Sequence, residues 1–499
     1  MRPTVSLCMI VRDEEANLAK CLEGIRGLFD EIIIVDTGSV DGTKAIAERF
    51  GAKIFDFPWI DDFAAARNES RRHATGEWIF WLDADDRVDA AACERLRNVF
   101  DRLGACEEGP ATVFVASVLC PTQDEDSSFV ISQARLFRND PGLHWEGRIH
   151  ERLSCTQPGG SILVHTTDVT IFHEGYCDPA LRSRKHFREL RLLELDYLLN
   201  PDDPMTLFYL SRIQLWQHRP MEALRFGRRS ISRGIECKSL YVPMAYVLVV
   251  ESYLKLGRPI DALSACDEGL SHFPDDTSLH YRRGCILFDL GRFAEAEQTL
   301  SRLLQRPPDQ LPLAGCRVGL NGEVTRTMLA RIYVQQERWA DADRELRHVL
   351  AAKPTAFSFW VLLGWVNIRM GRTREVLSLV LGLRAYPNTT MEQMLLRAQL
   401  SMADQKLDEA REFARAAIAA RPTAVDPWLI LSDILFLEGG HSQSCIDAHR
   451  RVLSMDPRQA GIRKRLEQLE TGKSAPASPS WQGNIVTGRH SSGSSMLVA

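Results

Sequence analysis

The sequence has no CxxC pair among its twelve cysteines and no regular spacing between them. A zinc site or a disulfide framework would need such spacing, so we expect buried free thiols in a reducing compartment. An excess of basic residues is also lacking, because 61 Lys and Arg stand against 66 Asp and Glu, a formal net charge of −5. Without a basic field to meet phosphates, we expect no nucleic-acid partner.

Long hydrophobic runs are lacking as well. The most apolar later stretch, 241–250, stops at Glu251 and is too short to span a bilayer, so we expect no transmembrane segment. The apolar run near the N-terminus stops at Arg12 and is too short for a signal peptide, which predicts a cytoplasmic protein. One local group of basic residues is interpreted as a solvated helix face rather than a lipid or nucleic-acid patch: Arg182, Arg184, Lys185, Arg188 and Arg191.

The first 175 residues alternate short β-type runs with helix-type segments. Strands are predicted at 5–11, 31–36, 54–57 and 78–82, and helices at 17–28, 43–50 and 63–74. Apolar strands linked by helices predict a Rossmann-like, mostly parallel sheet covered on both faces. The ligand crevice of such a sheet lies beyond the carboxyl ends of its strands. The loops that start near Arg12, Asp36 and Asp83 should therefore converge.

From about residue 180 to 470 only helical periodicity remains, and the sequence repeats itself. Six turn residues begin the units: Gly257, Gly291, Glu337, Gly371, Gln405 and Gly440. Six prolines close the helix that follows each turn: Pro274, Pro308, Pro354, Pro387, Pro422 and Pro457. Small residues recur where two helices must approach closely. A period near 34 resembles the tetratricopeptide repeat, whose units stack into an all-α solenoid, and a non-repetitive helical bundle is the alternative.

These patterns divide the chain into four segments. We predict an α/β domain at 1–176, a helical connector with a degenerate first repeat at 177–240, and repeats at 241–470. The larger spacing between the second and third prolines implies an insertion at 307–322. Residues 471–499 are rich in Ser, Gly and Pro and should form a disordered tail.

The predicted strand at 78–82 runs directly into three acids within 83–86. Strand side chains alternate between faces, so Asp83 and Asp85 can project to the same side while Ala84 points away. Two carboxylates at the mouth of a sheet suit Mg²⁺ or Mn²⁺ shared with substrate phosphates. The alternative is an acidic turn that merely starts a helix, for which Asp89 would be the cap.

Other polar residues follow the first two strands and lie on the third helix. Asp36, followed by small residues, is suited to binding ribose or base hydroxyls. Arg67, next to Asn68, could meet a phosphate or a base edge, and its alternative is an ordinary ion pair on a surface helix. Polar residues also follow the first strand abruptly: Arg12, Asp13, Glu14 and Glu15.

The segment 5–86 resembles the inverting GT-A glycosyltransferases of family 2. Four stretches fall in the order and spacing of that family: SLCMIVRDEEANLAKCLEGI, IIIVDTGSVDGT, FAAARNES and GEWIFWLDADD. The whole chain resembles bacterial members of the family that carry tetratricopeptide repeats. Those members share three later stretches: RLFRN at 135–139, GRIHE at 147–151 and HEGY at 173–176.

The resemblance implies roles for individual residues. Asp36 would hold the nucleoside, and Asp83 and Asp85 would form the DxD motif, with Asp85 the direct metal ligand. His173 would complete the metal site, and its alternative is a strand-end histidine with ordinary hydrogen bonds. The donor-binding set implied by the resemblance also includes Arg12, Asp13, Glu14, Arg67 and Asn68. Many family members carry Asn-Glu where this chain has Asp-Glu, which leaves the base contact of that loop open.

The resemblance also implies a mechanism, in which the sugar is displaced once at its anomeric carbon. Mn²⁺ or Mg²⁺ and Arg67 would stabilise the departing nucleoside diphosphate, and a carboxylate would take the proton of the acceptor hydroxyl. Glu151 is the first candidate for this base and Glu146 the second. Either could instead be a surface acid beside Arg148 or Arg152.

The resulting hypothesis is a hexosyltransferase-like enzyme that uses a nucleotide-sugar donor, UDP-linked in the first instance. Its acceptor would be a saccharide, a peptide or a protein, and the repeats would bind the acceptor or a protein partner, or dimerise the enzyme. A lipid-linked saccharide acceptor is a further option. The alternative function is a catalytically inactive scaffold. A sugar-1-phosphate nucleotidyltransferase would need a glycine-rich loop after the first strand, where 12–15 contain no glycine.

Overall fold

The computed structural model describes residues 2–105, 111–120, 129–156, 162–176, 179–239, 241–306, 322–439, 442–457 and 459–471. The described chain forms two compact units, one up to Leu279 and one from His280 onward. The first unit opens with ten strands: β1 (Val5–Val11), β2 (Glu31–Asp36), β3 (Lys53–Asp56), β4 (Trp78–Trp81), β5 (Asp86–Arg87), β6 (Thr112–Cys120), β7 (Phe129–Arg138), β8 (Leu143–Glu146), β9 (Arg152–Cys155) and β10 (Leu163–His173).

Eight of these strands form one sheet in the order β3-β2-β1-β4-β7-β6-β10-β5, and β8 pairs with β9 in a separate ribbon. The pairs β3–β2, β2–β1 and β1–β4 are parallel, which confirms the predicted arrangement for this half. The other half is mixed, because β7 runs antiparallel to both β4 and β6 while β10 is parallel to β6. Antiparallel strands need no helical crossover, and the alternating segments that predict crossovers end at β4.

Four α-helices belong to the described residues of this α/β part: α1 (Leu18–Gly24), α2 (Thr43–Arg49), α3 (Phe63–His73) and α4 (Ala90–Arg102). Apolar side chains of α1 and α4 share one core cluster with Leu7 and Met9 of β1. Cys8 points to the opposite face and packs in a second cluster with residues of α3 and β8. The sheet is therefore covered on both faces, as predicted. Asp89 caps α4 through Ala92, as its position suggested.

The described residues that follow form sixteen helices: α5 (Pro179–Leu199), α6 (Pro204–Trp216), α7 (Pro220–Glu236), α8 (Val242–Lys255), α9 (Pro259–His272), α10 (Thr277–Asp289), α11 (Phe293–Leu304), α12 (Glu323–Gln335), α13 (Trp339–Ala352), α14 (Phe357–Arg369), α15 (Thr373–Leu383), α16 (Thr390–Ala403), α17 (Leu407–Ala420), α18 (Val425–Leu437), α19 (Gln443–Met455) and α20 (Ala460–Thr471). From α6 onward they form successive helical hairpins. Within the second unit α14 packs on α13, α15 and α16, so neighbouring hairpins stack.

The turns between the paired helices have a common backbone geometry. In each turn that the structure describes in full, one residue adopts a left-handed conformation, which ends an α-helix. Five of the predicted turn residues have it: Gly257, Gly291, Glu337, Gly371 and Gln405. Gly440 lies outside the described residues. His218, with φ 59°, gives the same turn to the earlier pair α6–α7.

Small residues allow close approach of the paired helices. A Cβ atom built on Gly284 would meet the side chain of Leu300 at 2.6 Å, and one on Gly364 would clash with Leu396. Both glycines lie seven residues before a turn residue of the repeat, Gly291 and Gly371, where small residues recur. The spacing of the pattern thus reflects a packing requirement.

The nine described cysteines are all free, six of them buried, which confirms the expected thiols for that part of the chain. None of the described helices is long and apolar enough to cross a membrane. The predicted insertion after residue 306 and the predicted tail after residue 471 lie outside the described residues.

Candidate functional site

The chain makes a tight turn where β4 ends. Asp86 N donates to Asp83 O over 3.0 Å, so Asp83 and Asp85 stand on a turn. They do not have the strand-like alternation from which we expected them to share a face. The turn still buries Ala84 and brings the carboxylates of the acids close together. Ligand atoms of Asp83, Asp85, Asp86 and His173 all lie within 4.8 Å of one another.

Asp86 is the member of this group to which the sequence analysis gave no role. Its side chain is completely buried, and Oδ2 accepts from Arg135 Nη1 at 2.7 Å and from Asp83 N at 2.9 Å. Burial favours protonation, but the charge of Arg135 and the bond to His173 outweigh it and lower the pKa of Asp86 to about 2. An ionised Asp86 therefore holds the turn. The sequence signal that could have identified Asp86 is its position as the third acid, at the start of β5.

His173 reaches the acids from the last strand of the sheet. It stands opposite Asp86 in the β5–β10 pair, and its Nδ1 lies 3.0 Å from Asp86 Oδ1 and 3.4 Å from Asp85 Oδ1. Burial opposes protonation of the ring, yet the neighbouring carboxylates raise the pKa of His173. Carboxylate oxygens with one imidazole are donors that suit Mg²⁺ or Mn²⁺. The chemistry of the donor set thus fits the predicted metal.

Arg67 connects this acidic turn to the loop that contains Glu151. Only 6% of Arg67 is exposed, so the alternative of a surface ion pair does not hold. Its Nη2 donates to Asp83 Oδ1 over 3.1 Å, and its Nε donates to Glu151 Oε1. The guanidinium carbon lies 3.9 Å from the ring centroid of Trp81. Burial opposes the charge of Arg67, but Glu151 and Asp83 raise its pKa and keep it ionised.

The two candidate bases have different surroundings. Glu146 accepts from Ser154 Oγ at 2.8 Å and lies 2.9 Å from His144 Nε2, both on its own ribbon. Asn68 holds this ribbon, because its amide exchanges two 2.9 Å hydrogen bonds with the backbone of Trp145. Glu151, by contrast, shares Arg67 with the acidic turn.

Asp36 ends β2 on the sheet edge where β1 and β4 also end. It is 1% exposed, and its Oδ1 accepts from the backbone N–H groups of Gly38 and Ser39 at 2.9 and 2.8 Å. Its Oδ2 is buried and has no hydrogen-bond partner within the described structure. Such an oxygen is costly to bury and is free to accept a further hydrogen bond.

The loops after β1 and β2 are bonded to each other, which confirms that they converge. Asp13, left-handed with φ 54°, accepts from Val40 N at 2.8 Å. Glu14 N donates to Thr43 Oγ1 over 2.8 Å. Arg12, in the same loop, has a largely exposed side chain.

A side chain of α5 faces this loop as well. The guanidinium carbon of Arg188 lies 5.2 Å from the ring centroid of Phe63. Loss of solvation, followed by the charge of Arg12, lowers the pKa of Arg188. Arg188 itself remains exposed, which agrees with the interpretation of a solvated helix face. Sequence periodicity does not show which loop such a face meets.

Comparison with known families agrees with this layout. Residues 6–118 match the model described as glycosyl transferase family 2, and residues 253–315 and 327–375 match two tetratricopeptide repeat models. The chain thus carries a family 2 glycosyltransferase domain followed by tetratricopeptide repeats.

Individual relatives match this chain at low sequence identity. A tetratricopeptide repeat-containing protein of Synechococcus elongatus is 34% identical over 46% of this chain, a match that spans 57% of the relative's length. The glycosyltransferase SunS of Bacillus subtilis is 25% identical over 57% of this chain and 67% of its own length.

Solved structures show lower similarity. A tetratricopeptide repeat protein from Parabacteroides merdae has a TM-score of 0.43 at 12% identity, covering 54% of this chain and 98% of its own. Glucosyl-3-phosphoglycerate synthase from Mycobacterium tuberculosis, solved with Mn²⁺ and UDP, has a TM-score of 0.20 at 21% identity. This match covers 23% of this chain and 44% of the synthase.

Proposed function

We propose that the protein transfers a sugar from a nucleoside-diphosphate donor, with UDP-sugars as the first candidates, to an acceptor hydroxyl. The observation that carries this proposal is the group of Asp83, Asp85 and His173, which lies at the same sheet edge as the unpartnered oxygen of Asp36. The family 2 match over residues 6–118 supports it.

Asp36 is proposed to bind the nucleoside. An ionised carboxylate only accepts hydrogen bonds, so its buried Oδ2 would take one from a ribose hydroxyl or a base N–H group. Asp13 and Glu14 would fix the shape of the adjoining loop through their hydrogen bonds with Val40 and Thr43. Arg12 and Arg188 would offer positive charge to the diphosphate.

Asp85, Asp83 and His173 are proposed to hold Mn²⁺ or Mg²⁺. When bound, the cation would supply positive charge for the departing diphosphate. Asp86 would support the site from behind, because Arg135, His173 and the backbone of Asp83 already occupy its two oxygens. It would fix the orientation of the turn and of the imidazole ring.

Glu151 is proposed as the base of an inverting displacement. Arg67 bonds its Oε1, so Oε2 would receive the proton of the acceptor hydroxyl. The same guanidinium holds Asp83, and this sets the distance between the base and the metal-binding turn. Glu146 stays the second candidate, and its contacts lie on its own ribbon.

The tetratricopeptide repeats are proposed to bind the acceptor, as an extended peptide, a protein or a saccharide, or to bind a protein partner. Stacked helical hairpins offer a continuous surface for such a ligand. Removing the repeats beyond residue 279 would test this role, because the first compact unit ends there. Retained donor hydrolysis with loss of transfer would support acceptor binding.

The activity is tested by incubating the full chain with a panel of nucleotide sugars and measuring release of the free nucleoside diphosphate. The proposal expects release from one nucleotide class in the presence of Mn²⁺ or Mg²⁺ and none with EDTA. Release that EDTA does not affect would contradict the metal site. If the wild-type chain releases no nucleoside diphosphate from any donor, the result would favour the inactive scaffold.

A further inference from the structure

The loop 147–151, between β8 and β9, holds Glu151 in an unusual backbone. His150 has φ 54° and Gly147 has φ 94°. Few non-glycine residues adopt the left-handed region, although histidine does so more often than most. Contacts from beyond the α/β part help to hold the loop in this conformation.

Two helices that follow the α/β part contact His150 directly. Its Nε2 lies 2.7 Å from Glu189 Oε1 of α5. Its ring stacks on Tyr209 of α6, with 3.5 Å between ring centroids and 8° between planes. The imidazole is thus fixed on one side by a carboxylate and on its face by an aromatic ring.

Glu189 is itself held in place. Its side chain is 10% exposed and accepts from Arg212 Nη2 at 2.5 Å. Burial favours protonation, yet the charge of Arg212 and the bond to His150 keep the pKa of Glu189 well below its usual range. Arg212 also lies 4.6 Å from the ring centroid of Tyr209. The four side chains form one closed contact group.

A second point of the loop is attached to α5. Arg148 N donates to Asp196 Oδ2 over 3.1 Å, and Arg148 O accepts from Phe63 N at 2.9 Å. Residues 148 and 150 are therefore both bound on the N-terminal side of Glu151. Arg67 binds Glu151 itself from α3.

We propose that Glu189 is a positioning residue for glycosyl transfer, which through His150 fixes the loop that presents Glu151 to the acceptor. This inference rests on the proposed function, in which Glu151 takes the acceptor's proton. It also assigns α5 and α6 to the catalytic unit, beyond the predicted α/β boundary at residue 176. A shift of about 1 Å at a reacting group costs roughly 100-fold in rate, so a loosened loop should have a measurable effect.

The test compares Glu189→Gln in the full chain with Glu194→Gln, an exposed acid on the same helix. Glu189→Gln should lower kcat for transfer by about 10- to 100-fold. The Kd for the nucleoside diphosphate with Mn²⁺ should stay within about twofold, because Asp36 and the metal-binding acids lie on other elements and Arg188 is retained. Glu194→Gln should leave both unchanged, and Glu189→Asp should recover part of kcat.

A second variant covers the case in which Glu189→Gln does not fold. His150→Asn keeps a residue that tolerates the left-handed backbone but is too short to reach Glu189. It should show the same loss of kcat with an unchanged donor Kd. Normal kcat in either folded variant would overturn the positioning role alone. Equal losses in kcat and donor affinity would overturn it in favour of a general structural role. A wild-type chain without transfer activity would overturn the proposed function, and this inference with it.

Discussion

Arg67 of α3 donates from Nη2 to Asp83 Oδ1, in the turn after β4, over 3.1 Å. The same guanidinium bonds Glu151, so one buried cation fixes an acid of the metal-binding turn and the proposed base. Because Arg67 is itself packed on Trp81, its position depends on the core of the domain. The proposed catalytic groups are therefore attached to buried side chains of the domain core.

Replacing Asp85 should remove a metal ligand. Asp85→Ala is expected to lower kcat by roughly 10³-fold, because a metal contact contributes several kcal/mol to the transition state. The measurement is the initial rate of sugar transfer at saturating Mn²⁺. Asp89→Ala is the matched control, since it loses only a helix cap, worth about 1 kcal/mol of stability, and should keep its rate. Near-normal transfer by Asp85→Ala would show that the metal role is wrong.

Replacing Asp36 should weaken donor binding. Asp36→Asn puts an NH₂ group where Oδ2 accepts, and we expect the donor Kd to rise by about 10- to 100-fold, as for a lost hydrogen bond to a charged group. Asp56→Asn is the control. Asp56 is the register partner of Asp36 on β3, and its side chain is 74% exposed. Titration calorimetry with the nucleoside diphosphate measures both. Equal effects of the two changes would refute a specific contact at Asp36.

The choice of base is decided by two matched substitutions. Glu151→Gln should reduce kcat by about 10²- to 10⁴-fold while donor affinity is kept, because it removes only the proton acceptor. Glu146→Gln should retain most of the activity, since Glu146 contacts its own ribbon. A large loss for Glu146→Gln together with a small loss for Glu151→Gln would reverse the assignment.

Glu31 should make the stability of the first unit depend on pH. Burial opposes its ionisation, but bonds from Lys53, Ser6 and Thr75 outweigh this and lower its pKa from 4.5 to about 2. A lowered pKa in the folded state gives stability that is complete above the unfolded pKa and is lost as the pH falls from about 4.5 to 2. Glu31→Gln should therefore cost about 1–3 kcal/mol at pH 7 and close to nothing near pH 2. Urea unfolding at several pH values checks this, and a pH-independent difference would contradict it.

The sequence predicted the first half of the fold closely. The strands at 5–11 and 31–36 were placed to the residue, because uninterrupted apolar runs end abruptly at charged side chains. The helical repeats were found from turn residues and small residues, which are local signals. The mixed half of the sheet was not predicted, since β6, β7 and β10 pair over long sequence distances that no local pattern encodes.

The site shows the same limit. Asp36, Asp83 and Asp85 follow strands and were found by position. Asp86 depends on Arg135, which lies 49 residues further along the chain. Glu189 depends on a histidine 39 residues earlier. Its role was hidden within a basic helical segment, because a tertiary contact between a helix and a distant loop leaves no periodic signal.

The most direct measurement is calorimetric titration of the full chain with UDP, GDP, TDP and CMP, first with Mn²⁺ and then with EDTA. The proposed function predicts binding of one diphosphate that depends on the metal and is lost in Asp85→Ala. That result would also narrow the sugar donor to the conjugates of the nucleotide that binds. Absence of binding to all four nucleotides in the presence of Mn²⁺ would contradict the donor site and indicate an inactive scaffold.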